Sequence, residues 1–182
     1  MNNKIRKLRT LVDLTETQLS SLLNMSSYKY KRCENGTMDF PIEAVILLSI
    51  IFQVPIDYLL YNKYSIEDVI KNSNVSDLKL KSKQDVLRDF QDNICRTCSC
   101  SFSKISYKVI RQVILDKQIN FSVNLKTICY EQNLNELDII ANLKISDELY
   151  KNIKSAKCLP DINLLVKFSD YLGVSLKKLF DL

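Results

Sequence analysis

The chain of 182 residues contains no histidine, only two glycines and only three prolines. Without histidine, neither Ser-His nor Cys-His activation of a nucleophile is available, and imidazole cannot ligate a metal. Two isolated glycines, Gly36 and Gly173, cannot build a phosphate-cradling loop. The same scarcity of turn residues argues against a β-sandwich and for helices joined by tight turns. No apolar run reaches the ~18 residues that a membrane helix needs. Ala44 to Val54 is the most apolar stretch, and Ser49 and Gln53 interrupt it. The N-terminus is basic but lacks the apolar run of a signal peptide. A cytoplasmic protein with no membrane contact is therefore expected. An enzyme is not.

Six cysteines at irregular spacing fit reduced intracellular thiols. With 46% hydrophobic and 26% charged residues, the composition is that of an ordinary soluble globular protein. The length suits two compact helical units and a connector. The net charge of +5 is unevenly placed. Residues 1–62 carry seven basic and six acidic groups, residues 63–120 eleven and seven, and residues 121–182 eight and eight. All seven basic groups of the first block lie within residues 1–34, against Asp13, Glu16 and Glu34, so a basic face is expected there.

Helical spacing begins at once. Ile5, Leu8, Leu11 and Val12 form an apolar stripe, leaving Arg6, Lys7 and Arg9 on other faces. Thr15 with Gln18 three residues later is a capping box, and Leu14 before it can act as the staple. Leu19, Leu22 and Leu23 give the second helix its buried side, and Asn24 ends it. Ser26 caps a third helix after a turn of about three residues, the connection of a helix-turn-helix. On that helix Tyr30 and Cys33 fall inward, while Ser27, Tyr28, Lys31 and Arg32 fall outward; Asn35-Gly36 stops it. Pro41 opens a fourth helix through Phe52, with Val45, Leu48 and Phe52 on one side and Ile42, Ile46 and Ile51 widening the stripe. Val54 to Leu60 is a short fifth helix, again opened by proline.

From Ile5 to Leu60 this pattern resembles the Cro and phage-repressor type of helix-turn-helix domain. The likeness lies in Leu14-Thr15, Leu19, Leu23, Ser26, Glu34-Asn35-Gly36, Val54 and Leu59-Leu60. The chain departs from it at Glu16, where glutamine is usual, and at Ser20, where alanine is usual. The resemblance implies that the third helix enters the major groove of double-stranded DNA, with Ser27, Tyr28 and Arg32 at base-reading positions. Lys29 and Lys31 would meet phosphates. Thr15, Glu16, Thr17, Gln18, Ser26, Asn35 and Thr37 complete the expected contact set.

The middle, residues 63–120, reads as a helical connector. Ser65 to Lys71 looks like a short capped helix, and Asp85 to Cys95 and Lys104 to Leu115 carry apolar stripes that must be buried against something. A homodimer built partly on these helices is expected. Cys95, Cys98 and Cys100 have the Cys-x-x-Cys spacing that lets thiolates share a zinc ion, but no matching second pair exists. The competing readings are cysteines acting as small buried hydrophobes or as a redox switch. No cofactor is expected.

Residues 125–180 repeat the first pattern 120 positions on. Leu14, Glu16, Leu23, Ser26, Tyr30, Lys31, Val54 and Leu59 recur as Leu134, Glu136, Leu143, Ser146, Tyr150, Lys151, Val174 and Leu179. Leu164, Leu165, Phe168 and Leu172 supply the buried stripe of the helix opened by Pro160-Asp161. The base-reading positions now hold Asp147, Glu148 and Asn152, and carboxylates face phosphates badly. The expected architecture is thus all-α: two five-helix, lambda-repressor-like domains at 1–62 and 121–182. The first reads DNA as a transcriptional regulator; the second is degenerate and holds a protein partner or the dimer. The alternative is a protein-interaction module or antagonist of another such regulator, using both domains for protein contact.

Overall fold

In the computed structural model every described element is an α-helix. The described residues are 2–61 and 107–180, with 84, 85, 88 and 89 between them, and no strand occurs among them. The chain divides into two compact units, Met1–Arg111 and Gln112–Leu182. The expected helix at 65–71, most of that at 85–95, and Cys95, Cys98 and Cys100 lie outside the described residues.

In the first unit α1 spans Asn2–Leu11, α2 Glu16–Leu22, α3 Ser27–Glu34, α4 Ile42–Phe52 and α5 Ile56–Leu60. Local chemistry sets these starts. The Gln18 amide donates to Thr15 Oγ1 at 3.1 Å and the Thr15 amide to Gln18 Oε1 at 3.0 Å, closing the capping box. The Lys29 amide donates to Ser26 Oγ at 3.2 Å, so α3 has its serine cap. Pro41 and Pro55 stand at the N-cap itself, one place before the first-turn position expected of Pro41.

Ile5, Leu8 and Val12 of the first segment pack with Leu19, Tyr30, Val45, Leu48, Phe52 and Leu59 in the buried core. Tyr30 and Phe40 meet edge to face at 5.9 Å. Leu11, expected on the buried stripe, is 40% exposed. The helix ends there, and Val12 in the following turn takes the inward place. Eight of the eleven residues of α4 are buried, so it lacks the solvent-facing side of an amphipathic surface helix.

The second unit begins within α6, a helix of 25 residues spanning Tyr107–Glu131. The stripe expected to end at Leu115 continues because neither proline nor glycine interrupts it, and position 120 lies inside one helix. Phe121, Leu125 and Ile128 on its second half are buried. The remaining helices are α7 Glu136–Leu143, α8 Asp147–Lys154, α9 Ile162–Leu172 and α10 Leu176–Phe180. Phe121 lies 6.0 Å from Phe168 and 5.2 Å from Phe180, ring centre to ring centre, at the middle of this core.

The two units share one backbone schedule. The bounds of α8, α9 and α10 are those of α3, α4 and α5 displaced by 120, and α6 ends 120 residues after α1. Every residue with positive φ among those described belongs to a pair at the same offset: Asp13 and Asn133, Asn24 and Lys144, Gly36 and Ala156, Gln53 and Gly173. These positions close helices or turn the chain between them. A side chain there is strained, and glycine relieves the strain. Nothing lies within 4 Å of a Cβ added at Gly173, so backbone strain alone sets the cost of a substitution there. Gly173→Ala is expected to lower stability by about 1 kcal/mol and Ala156→Gly to raise it by a similar amount. Urea denaturation followed by circular dichroism measures both; shifts of the same sign would contradict this account.

Candidate nucleic-acid interface

The α3 segment is held at its base by one buried carboxylate. Glu34, the last residue of α3, is 2% exposed. Arg9 of α1 grips it bidentately, Nε donating to Oε1 at 2.8 Å and Nη2 to Oε2 at 3.1 Å. The Tyr30 hydroxyl donates to the same Oε1 at 2.8 Å. Arg9 Nη1 also donates to the Leu14 carbonyl at 3.0 Å, tying the turn before α2 into the cluster. Burial pushes the Glu34 carboxyl up, but the bonds from Arg9 and Tyr30 and the charges of Arg9 and Arg6 outweigh it and hold it below the usual carboxylate range. Burial first, then the Glu34 bond, pushes the Tyr30 hydroxyl well up, so it stays a donor.

This cluster corrects the expectation for α1. Arg9 does not lie on a free face; it is spent inside. Arg6 donates through Nη2 to Asn35 Oδ1 at 2.6 Å, and Lys4 Nζ donates to the Tyr58 and Tyr61 carbonyls. The basic surface is accordingly narrower than the seven charges suggest. Lys7, Lys29 and Lys31 are exposed and pair with no carboxylate among the described residues. Arg32 is partly exposed, its guanidinium 5.9 Å from the centre of the Tyr28 ring, within cation–π range. Tyr28 itself is 74% exposed, a large aromatic with no core to fill.

The other expected contact residues divide by what already occupies them. Thr15 and Gln18 are exposed, but their side chains are engaged in the cap; Thr17 is exposed. Glu16 is half-buried, with Oε1 3.9 Å from Arg9 Nη2, which draws its charge toward the cluster. Ser27 is exposed, and its hydroxyl meets that of Ser20 at 3.1 Å. Ser20 is buried and donates to the Thr17 carbonyl, so the hydroxyl at this position is satisfied between α2 and α3. Thr37 Oγ1 donates to the Arg32 carbonyl at 3.1 Å, fastening the chain just after α3.

The corresponding surface of the second unit has other chemistry. Asp147 and Glu148 begin α8 and are exposed; Asp147 pairs with Lys151 at 2.5 Å. Leu137 is 70% exposed where the first unit has Thr17. The anchor has changed too. Cys129 stands at the place of Arg9 and Lys154 at that of Glu34, and Lys154 pairs with Glu136 instead. Sequence reasoning missed this cluster in both units. The signal was present in the repeat, since positions 9 and 34 both change their charge on going to 129 and 154.

Among the described residues no group of three acidic or thiol side chains is placed to hold a metal ion, and no helix is long and apolar enough to cross a membrane. Comparison with protein-family models, curated proteins and solved structures finds no match.

Arg9→Ala would leave Glu34 buried with Tyr30 as its chief partner and is expected to cost about 3 kcal/mol. Because the folded carboxyl titrates below its unfolded value near 4.3, its contribution is complete above about pH 4.3 and disappears as pH falls through the lower folded value. Urea midpoints measured from pH 7 down to pH 3 should therefore fall more steeply below about pH 4 for the native chain than for Arg9→Ala. Parallel acid profiles would remove Glu34 from this role.

Proposed function

We propose that the protein is a sequence-specific, DNA-binding transcriptional regulator whose residues 1–62 form a lambda-repressor-like helix-turn-helix domain. In this reading α3 enters the major groove, with Ser27, Tyr28 and Arg32 toward base edges and Lys29 and Lys31 toward phosphates. One observation carries it. The inner face of α3 is fixed by a buried ion pair, while its outer face presents Lys29 and Lys31, which pair with no carboxylate among the described residues, and Arg32 against the Tyr28 ring. Such a face suits a polyanion. Arg32, pre-oriented by Tyr28, matches the bidentate donor geometry that guanine O6 and N7 accept.

Residues 121–182 form a second copy of the same domain, which carries the reader's frame without its charge. Its exposed Asp147, Glu148 and Leu137 favour a protein partner over a phosphate backbone. This supports a second reading, in which the whole chain is an interaction partner or antagonist of another regulator. Two readers on a palindromic site require a homodimer, and the connector 63–120 is the proposed place for part of its interface.

Gel shifts with DNA from upstream of the protein's own gene test the first reading at two salt concentrations. Arg32→Ala is expected to cost about 1–3 kcal/mol and relax specificity at one base position. Lys31→Ala should weaken binding to all sequences alike and reduce the salt slope by about one unit. Binding unchanged by both substitutions would exclude α3 as the reader. Sedimentation at micromolar concentration should give about twice the 21.1 kDa chain mass. A monomer would sink the dimer.

A further inference from the structure

A cavity of about 660 Å³ opens in the second unit beside Cys129. Its lining occupies, 120 positions on, the places of the Arg9 cluster. Lys126 stands for Arg6, Cys129 for Arg9, Glu136 for Glu16, Tyr150 for Tyr30 and Lys154 for Glu34. In the first unit the Arg9 guanidinium reaches across this region to Glu34 and the Leu14 carbonyl. In the second a thiol stands there, and the frame around it has not collapsed to fill the difference. Tyr150 keeps the buried place of Tyr30 and lines the cavity together with Cys129.

The lining has also changed sign. In the first unit Arg6 and Arg9 stand against Asp13, Glu16 and Glu34, an excess of one negative charge. In the second Lys126 and Lys154 stand against Glu136 alone, an excess of one positive charge, since Asn133 has replaced the aspartate. Lys154 is fixed by Glu136, and an ammonium with three donors can keep that bond while taking another acceptor. Leu134, Cys129 and the 85% exposed Tyr130 bring apolar surface to the same walls.

The geometry points to a binding site for a small organic anion, a carboxylate carried on an apolar body, with Lys126, Lys154 and Tyr150 taking the carboxylate and Leu134 and Tyr130 flanking the body. The volume falls within the ~300–1,000 Å³ usual for small-molecule sites. A guanidinium or amine, the group this region held in the first unit, is opposed by the lysine that has replaced Glu34. The site stands whether or not residues 1–62 bind DNA.

The test uses the full chain with salicylate as probe and acetate and guanidinium as controls. Alkylation of Cys129 by iodoacetamide, read by peptide mass spectrometry, reports occupancy directly. At salicylate near ten times its dissociation constant, alkylation of Cys129 slows by about tenfold. Lys126→Gln and Lys154→Gln each weaken binding by about tenfold for the loss of one charge-assisted hydrogen bond, so that protection at the same salicylate concentration falls to about twofold. The double variant Cys129→Arg with Lys154→Glu rebuilds the first unit's ion pair; its melting temperature no longer responds to salicylate, whereas that of the native chain rises. The proposal is overturned if saturable protection is absent, if acetate protects as well as salicylate, if guanidinium protects instead, or if both lysine variants retain full protection.

Discussion

The buried ion pair between Arg9 and Glu34 is the constraint on which the first unit depends. A carboxylate that is 2% exposed costs several kcal/mol to desolvate unless its oxygens are satisfied. Two guanidinium bonds and one phenol bond satisfy them, and those three donors come from α1 and α3. The same guanidinium reaches the Leu14 carbonyl at the turn into α2. One interaction thus fixes the relation of three helices. An ion pair in that position adds little to stability over a well-packed apolar pair, but it accepts only one arrangement of its partners. The outer face of α3 is placed accordingly.

The second unit keeps the backbone and changes the means. Its four positive-φ positions, its caps at Ser146 and Asp161 and its aromatic core reproduce the path of the first unit without the Arg9 anchor. A fold set by caps and turn residues tolerates the loss of one polar cluster. The surface then becomes free to vary: Thr17 gives way to Leu137 on a helix that starts at the same place, and Arg32 to Asn152 on a helix with the same bounds. The contrast separates what positions α3 from what α3 presents.

Much of the helical plan was legible because its determinants are local. Thr15 with Gln18, Ser26 and the two prolines announce helix starts within four residues of where they act. The repeat sets Gly173 at the place of Gln53 and Ala156 at that of Gly36, but it does not mark Lys144, whose positive φ carries no composition signal. The burial of Glu34 leaves no local trace because its partner lies 25 residues away. Arg9 was read as surface for the same reason. Cys129 carries no signal of its own, and only its alignment with Arg9 reveals what it leaves vacant. Local chemistry is visible in a window; pairing across the fold is not.

Two units on one helical schedule invite a particular error, the exchange of equivalent segments between them while the chain folds. The altered anchors discriminate against it. Were α1 to dock in the second unit, Arg9 would meet Lys154 where Glu34 stands in the first, setting two cations against each other. Were the end of α6 to dock in the first, Cys129 would leave Glu34 without the guanidinium that grips both its oxygens. Either exchange incurs an electrostatic penalty that the correct pairing avoids. Divergence at positions 9 and 34 therefore gives each copy an address of its own, so that two nearly interchangeable backbones assemble from their own parts.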